Sequence, residues 1–312
     1  VQQVFDRFIT TELTTIDSRG QPITWPVTPY YRPGDPCIDV TTGLGYPKKA
    51  TDAARNPHVA LLFSDATGSG LERAPMVLVQ GTAEVDDHDL DANRERYIRE
   101  SAEKLSGSGR QPPEGMQRFF EWYYKRIYVH VRPERVYVWP EGRIDAEPEL
   151  YDSHMEEVRS GHDEEPDAPH PGPVGGRAVW HPRMTELGTR YRTAVVSFVA
   201  PDGFPFAVRV PVAADRRAKL VRIEAEPVGA PLQPGLACVT AHDHEESLRW
   251  QRNFNVRGDL IETHGGWVVT PHRVVGGFEL HRRASLPKAV ANFRKVRRFR
   301  KSAKRQLARR GG

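Results

Sequence analysis

The stretch over residues 38–63, IDVTTGLGYPKKATDAARNPHVALLF, limits the fold more than any other. Residues 37–42 alternate in polarity and are β-branched, the pattern of a strand with one face buried. Residues 48–55 are rich in Ala and Lys, contain neither Gly nor Pro, and stop at Asn56-Pro57, which predicts a short helix closed by a breaker. Residues 58–63 read as a second, more apolar strand. The joint between first strand and helix carries Thr41, Thr42, Gly43, Gly45, Lys48 and Lys49. A helix start favours an anion, because free N–H groups and the helix dipole point there. Hydroxyls and ammonium groups at that place suit a phosphate. They suit a solvated helix start with two surface lysines equally well, and the stretch by itself leaves both readings open.

A chain of 312 residues is long enough for two domains. No run of eighteen apolar residues occurs, so no membrane-spanning helix is expected, and the first residues do not have the basic-then-apolar pattern of a secretory signal. Two cysteines, Cys37 and Cys238, cannot build a disulfide framework, and both lie in strand-like runs. A cytoplasmic protein is the expectation. The net charge of +4 hides an asymmetry. Residues 282–312 hold 13 Lys and Arg and no acid, which leaves 32 basic against 41 acidic residues elsewhere, a net of −9. Any polyanionic partner, nucleic acid or an anionic membrane surface, therefore belongs to the tail.

Taken in order, residues 2–9 fit a short amphipathic helix, and residues 12–31 a β-hairpin turning at Ser18-Arg19-Gly20-Gln21. Residues 74–85 form a long strand in which Gly81 marks a bulge or a close approach. Residues 86–105 predict an acid-capped helix and 112–125 an aromatic-rich one. Residues 127–132 and 135–139 read as two strands turning at Arg132-Pro133-Glu134. Residues 141–177, with eleven acids and many Pro and Gly, read as a partly helical linker whose His154, His162 and His170 are too scattered for a metal site. The strand pattern then returns: 194–212 answers the first hairpin, 220–223 the strand at 37–42, and 232–242 the stretch at 54–64. Residues 254–261 answer 77–84, and 267–280, split at Thr270-Pro271-His272, answer the last hairpin. This is an internal duplication. Val228-Gly229-Ala230-Pro231-Leu232-Gln233 stands where the first copy has its short helix, so the second copy lacks the phosphate seat.

The run from Thr41 to Phe63, followed by Leu71-Glu72-Arg73 and the V-x-V-x-G-x-A-E strand at 77–84, resembles the pyridoxamine 5′-phosphate oxidase-like split β-barrel family of flavin-binding proteins. The resemblance covers roughly residues 8–140 and, more faintly, 190–281. It implies a mainly β fold with peripheral helices: two tandem split β-barrels of Greek-key type, the second degenerate. The expected division is a barrel over 1–140, the acidic linker over 141–177, a second barrel over 178–283 and a basic tail over 284–312. The implied cofactor is FMN, with the 8-hydroxy-5-deazaflavin coenzyme (F-420) as the alternative. Lys48 and Lys49 would hold its phosphate, and Thr41 and Thr42 phosphate or ribityl oxygens. Val27 and Thr28 would lie along the ring edge, and Met76 stands where the oxidase places a ring-contacting glutamine.

The implied reaction is hydride transfer to or from a small-molecule substrate, with the protein supplying position and electrostatics. Catalytic residues stay unassigned. Met76 and the altered strand at 23–28 favour the alternative of a cofactor-binding protein without turnover. The two barrels would come from one chain as an intrachain pseudo-dimer, or from a homodimer. His242-Asp243-His244-Glu245-Glu246 has metal-binding chemistry, but at a strand end without a third ligand cluster it reads as a surface turn, and no metal is expected. The tail places Ala289, Phe293, Val296 and Phe299 at helical spacing among cations. A solvated, partly frayed helix ranks first there, ahead of docking on the barrel, covering an anionic coenzyme, or binding nucleic acid or membrane.

Overall fold

A computed structural model of the chain describes residues 1–105, 120–152, 172–277 and 286–310. The three linker histidines, part of the linker and most of the expected helix at 112–125 lie outside the described residues. The fold is mainly β: two antiparallel barrels with helices at the periphery. The first is built from β1 (Thr11–Ile16), β2 (Pro22–Val27), β3 (Pro29–Tyr30), β4 (Ile38–Gly43), β5 (His58–Phe63), β6 (Met76–Asp86) and β7 (Arg126–Trp139). Their order is β2-β1-β5-β6-β7-β4-β3. Only Thr28 separates β2 from β3, so one bent segment supplies both ends of that order and the sheet rolls up.

The second barrel is closed and comprises β9 (Thr193–Val199), β10 (Pro205–Asp215), β11 (Leu220–Ile223), β12 (Gly235–His244), β13 (Gln251–Thr263) and β14 (Gly266–Gly276). Its order, β10-β9-β12-β13-β14-β11, repeats that of the first. Unbroken β10 does the work of β2 and β3 together: residues 205–211 pair with β9 and 212–215 with β11. The short helix after β4, α2 (Lys48–Arg55), has no counterpart between β11 and β12.

The two expected turns at Arg132-Pro133-Glu134 and Thr270-Pro271-His272 are absent. β7 and β14 run straight through them. Proline cannot donate to a ladder, and each strand absorbs it as an irregularity opposite a glycine. Pro133 faces Gly81 and Pro271 faces Gly258, each beside a register shift. A Cβ on Gly81 would sit 2.1 Å from the Arg132 carbonyl oxygen, and one on Gly258 2.0 Å from that of Thr270. The same backbone contact recurs in both barrels. Beyond β7, β8 (Glu149–Asp152) pairs with its last residues, so this part of the linker extends the sheet.

Strand alternation explains how the barrels join. Leu61, Phe63, Val77 and Val79 point into the first barrel's core with Leu13, Val40 and Val129. Ala60, Leu62, Met76, Leu78 and Trp139 point the other way, into the cluster that fills the second barrel. β5 is apolar on both faces because both are buried, as the absence of polar alternation in its sequence requires. Polar pairs cross the joint as well: Thr24 Oγ1 lies 2.6 Å from Ser197 Oγ, and Gln80 Nε2 donates to the Pro205 carbonyl at 3.0 Å. At the periphery lie α1 (Gln2–Arg7), α3 (Leu90–Lys104), α4 (Glu121–Tyr124) and α5 (Leu286–Arg310). Asp89 caps α3, accepting from the N–H groups of Asp91 and Ala92. Among the described residues no helix is long and apolar enough to cross a membrane.

Candidate functional site

A cavity of about 1020 Å³ opens where the two barrels and α5 meet. The first barrel contributes Trp25, Val27 and Thr28 from the β2–β3 bend, Thr41 from β4, Lys48 and Lys49 from α2, and Arg126 from the start of β7. The second contributes Leu248 and Gln251 around the start of β13 and Gly276 at the end of β14. Arg298 and Phe299 of α5 close the third side. The tail is therefore docked, not solvated as ranked first from sequence. Phe299 packs 5.3 Å from Trp122 and 5.2 Å from Tyr46 between ring centroids, and Ala303 is buried. Of the residues read at helical spacing in the tail, Val296 and Phe299 are on the face that does this.

The lining is electrostatically one-sided. It holds Lys48, Lys49, Arg126, Arg249 and Arg298, and none of the described lining residues is an acid, a histidine or a cysteine. Arg126 is buried, yet no carboxylate among the described residues pairs with it. Its guanidinium lies 4.0 Å from the Tyr97 ring centroid and 4.4 Å from that of Tyr123, and Nη1 donates to the Tyr46 hydroxyl at 2.8 Å. Aromatic faces thus hold the cation while its buried Nε finds no acceptor. Burial pushes the Tyr46 and Tyr30 phenols up, so both are neutral at pH 7.

The two lysines of α2 differ. Lys48 reaches back to Asp52, Nζ–Oδ2 2.8 Å, and lies 3.9 Å from Asp17. Lys49 has no carboxylate partner among the described residues; its Nζ sits 5.5 Å from the Tyr46 ring centroid. Burial, and then the charge of Arg126, bring its pKa down from 10.5 to about 8. An amine so placed gains from any anion that enters.

Five of the seven expected cofactor residues, Val27, Thr28, Thr41, Lys48 and Lys49, line this one cavity. Thr42 does not: the side chain is buried behind the wall and its hydroxyl donates to the Tyr46 carbonyl at 2.9 Å. Nor does Met76, which opens β6 opposite Trp139 in the apolar joint between the barrels. The expected glycine-lined seat also has another use. A Cβ on Gly43 would meet the Tyr46 ring at 2.8 Å, and one on Gly45 would meet Phe299 at 2.9 Å, so both admit side chains of the wall. Sequence reasoning missed Arg126 and Tyr46. The signal was faint: a cation two residues after the aromatic run Trp122-Tyr123-Tyr124, on the strand that pairs Arg126 with Gly43.

Fold and site together define a twin split-barrel protein with a cationic, aromatic-walled cleft between its barrels. No family model matches the chain, and no curated protein matches it. Solved structures with partial similarity include a conserved hypothetical protein from Mycobacterium tuberculosis, 21% identical over 45% of this chain and 82% of that one, with a TM-score of 0.35. Another is related to general stress protein 26, of the pyridoxinephosphate oxidase family, from Clostridium acetobutylicum: 12% identity, 49% and 92% coverage, TM-score 0.34. An F-420 reductase is 18% identical over 43% of this chain and 94% of that one, with a TM-score of 0.33. Each similarity spans less than half of this chain.

Proposed function

We propose that the cleft binds a flavin-type cofactor, FMN or the 8-hydroxy-5-deazaflavin coenzyme, and that the protein is an oxidoreductase acting with it on a small molecule. The observation that carries this is Arg126 with Lys49: two cations on a cavity wall, neither with a carboxylate partner among the described residues. Leaving such charges unpaired is costly unless an anion arrives. Around them stand Trp25, Tyr46 and Tyr97, apolar faces for a flat ring system. The cavity volume suits a cofactor with room for a small substrate.

When bound, a flavin supplies the hydride chemistry. The chain's own share is then binding and exclusion. Lys49 and Arg126 hold the phosphate, with the Tyr46 hydroxyl as a neutral donor beside them. Val27, Thr28 and Trp25 border the ring, and the second barrel, through Leu248 and Gln251, walls off the far side so that one cofactor binds per chain. A wall whose described residues include no carboxylate, imidazole or thiol favours, as a second reading, a cofactor carrier without turnover. Titration of the protein with FMN and with the deazaflavin, followed by visible absorbance, tests binding; turnover with reduced nicotinamide separates enzyme from carrier. Absence of saturable binding of either compound removes both readings.

A further inference from the structure

A second constellation lies at the joint between the barrels. His242 and His244 sit two apart on β12, so strand alternation puts them on one face, with rings parallel to within 1°. Far from being a surface turn, both are buried. The missing third ligand comes from the other barrel. Asp65, in the loop after β5, places Oδ2 3.8 Å from His242 Nδ1 and 3.4 Å from His244 Nε2. One donor atom from each of the three falls within 4.8 Å of the others.

Each of these side chains is oriented by an outer partner that leaves a lone pair facing the centre. Thr67 N–H donates to Asp65 Oδ1 at 3.1 Å, so Oδ2 is the free oxygen. His244 Nδ1 donates to the Glu245 carbonyl at 3.1 Å, which makes Nε2 the lone-pair nitrogen. The Thr10 hydroxyl lies 2.9 Å from that nitrogen and turns its proton away from it when an ion is bound. His242 Nε2 lies 2.6 Å from Oε1 of Glu12, a fully buried carboxylate that needs donors. Arg209 Nη2 also lies 2.7 Å from that nitrogen, but it donates to Glu12 Oε1 at 2.9 Å. The carboxylate therefore takes the imidazole N–H, and Nδ1 is turned toward Asp65. Carboxylate and carbonyl partners behind ligating imidazoles are the usual outer shell of a metal site.

We propose that Asp65, His242 and His244 bind one divalent transition-metal ion, Zn(II) by donor chemistry, and that the ion ties the two barrels together. Bonds of about 2.0–2.1 Å put neighbouring ligand atoms about 3–3.5 Å apart; here Asp65 stands 3.4 and 3.8 Å from the two nitrogens and all three atoms lie within 4.8 Å, so an ion draws them slightly inward. Two imidazoles with one carboxylate select a borderline ion over Mg(II) or Ca(II), which prefer oxygen. The site adjoins the cationic cleft through Thr10, but none of its three ligands is among the residues lining that cleft.

The test is calorimetric titration of chelator-stripped, full-length protein with ZnCl2, beside Asp65→Asn, His244→Gln and, as control, His264→Gln on an exposed turn. The expected result is one ion per chain, at least about tenfold weaker binding in Asp65→Asn and His244→Gln, and no change in the control. Thermal melts check that the variants fold. Titration of the unaltered chain with CoCl2 needs no variant: new visible bands saturating at one equivalent support the site. A spectrum that stays that of the aqueous ion, no zinc uptake at one equivalent, or equal affinity in all variants overturns it.

Discussion

Lys49 is the most informative group to perturb, because its charge should appear and vanish within an accessible pH range. Its pKa falls from 10.5 to about 8 through burial and the neighbouring Arg126. Taken whole, that is about 3 kcal/mol against the charged form. The side chain is partly exposed, and screening brings the figure nearer 1–2 kcal/mol. For the ligand-free protein the sign follows from proton counts. Between about pH 8 and 10.5 the unfolded chain keeps a lysine proton that the folded one has lost, so this group's contribution to stability rises with pH across that window. Ligand binding runs the other way. A bound phosphate restores the proton, so affinity for FMN should be level up to about pH 7.5 and fall about tenfold by about pH 9.5. Fluorescence titration at constant ionic strength measures this. Lys49→Met should bind about tenfold more weakly at pH 7.5 and lose the alkaline fall. The phenol of Tyr46 cannot imitate the effect, since burial raises it above its usual 10. A level profile in the unaltered protein, or the same fall in Lys49→Met, refutes the assignment.

Gly81→Ala and Gly258→Ala should each cost about 2–4 kcal/mol in denaturant unfolding, since the new Cβ meets the backbone carbonyl of the neighbouring strand, which must shift. Met76→Ala should cost about 2–5 kcal/mol through a void in the joint, with FMN affinity unchanged; a binding defect without a stability defect would return Met76 to the site. Phe299→Ala should free α5 from Trp122 and Tyr46, seen as faster proteolysis of the helix and weaker cofactor binding as Arg298 leaves the cavity edge.

What could be read from the chain was local. Val27, Thr28, Thr41 and the lysine pair are residues the family resemblance implies, and they share one wall because their elements follow one another in the chain. Most strands of both halves were legible for the same reason: β-branched alternation and turn residues mark each element where it stands, whereas the barrel topology was implied by the family resemblance. Arg126 and Asp65 were not legible. Arg126 meets Tyr46 only because β4 and β7 pair, and Asp65 meets His242 and His244 only because the barrels pack. Burial turned the two histidines from a polar turn into a buried pair, and no local pattern carries that. Gly43 and Gly45 show the converse. Their sequence context suggests a phosphate loop, whereas the space they leave is filled by Tyr46 and Phe299. Proline misled in both barrels, because a ladder with a glycine opposite tolerates it without turning.

The cationic wall is tested most directly by comparing FMN with riboflavin, which differs from it only by the phosphate. Two charge-assisted contacts, from Lys49 and Arg126, should make FMN bind about 100-fold more tightly at pH 7.5 and low salt, with most of that ratio gone in Arg126→Met. Equal dissociation constants for the two compounds would contradict the account.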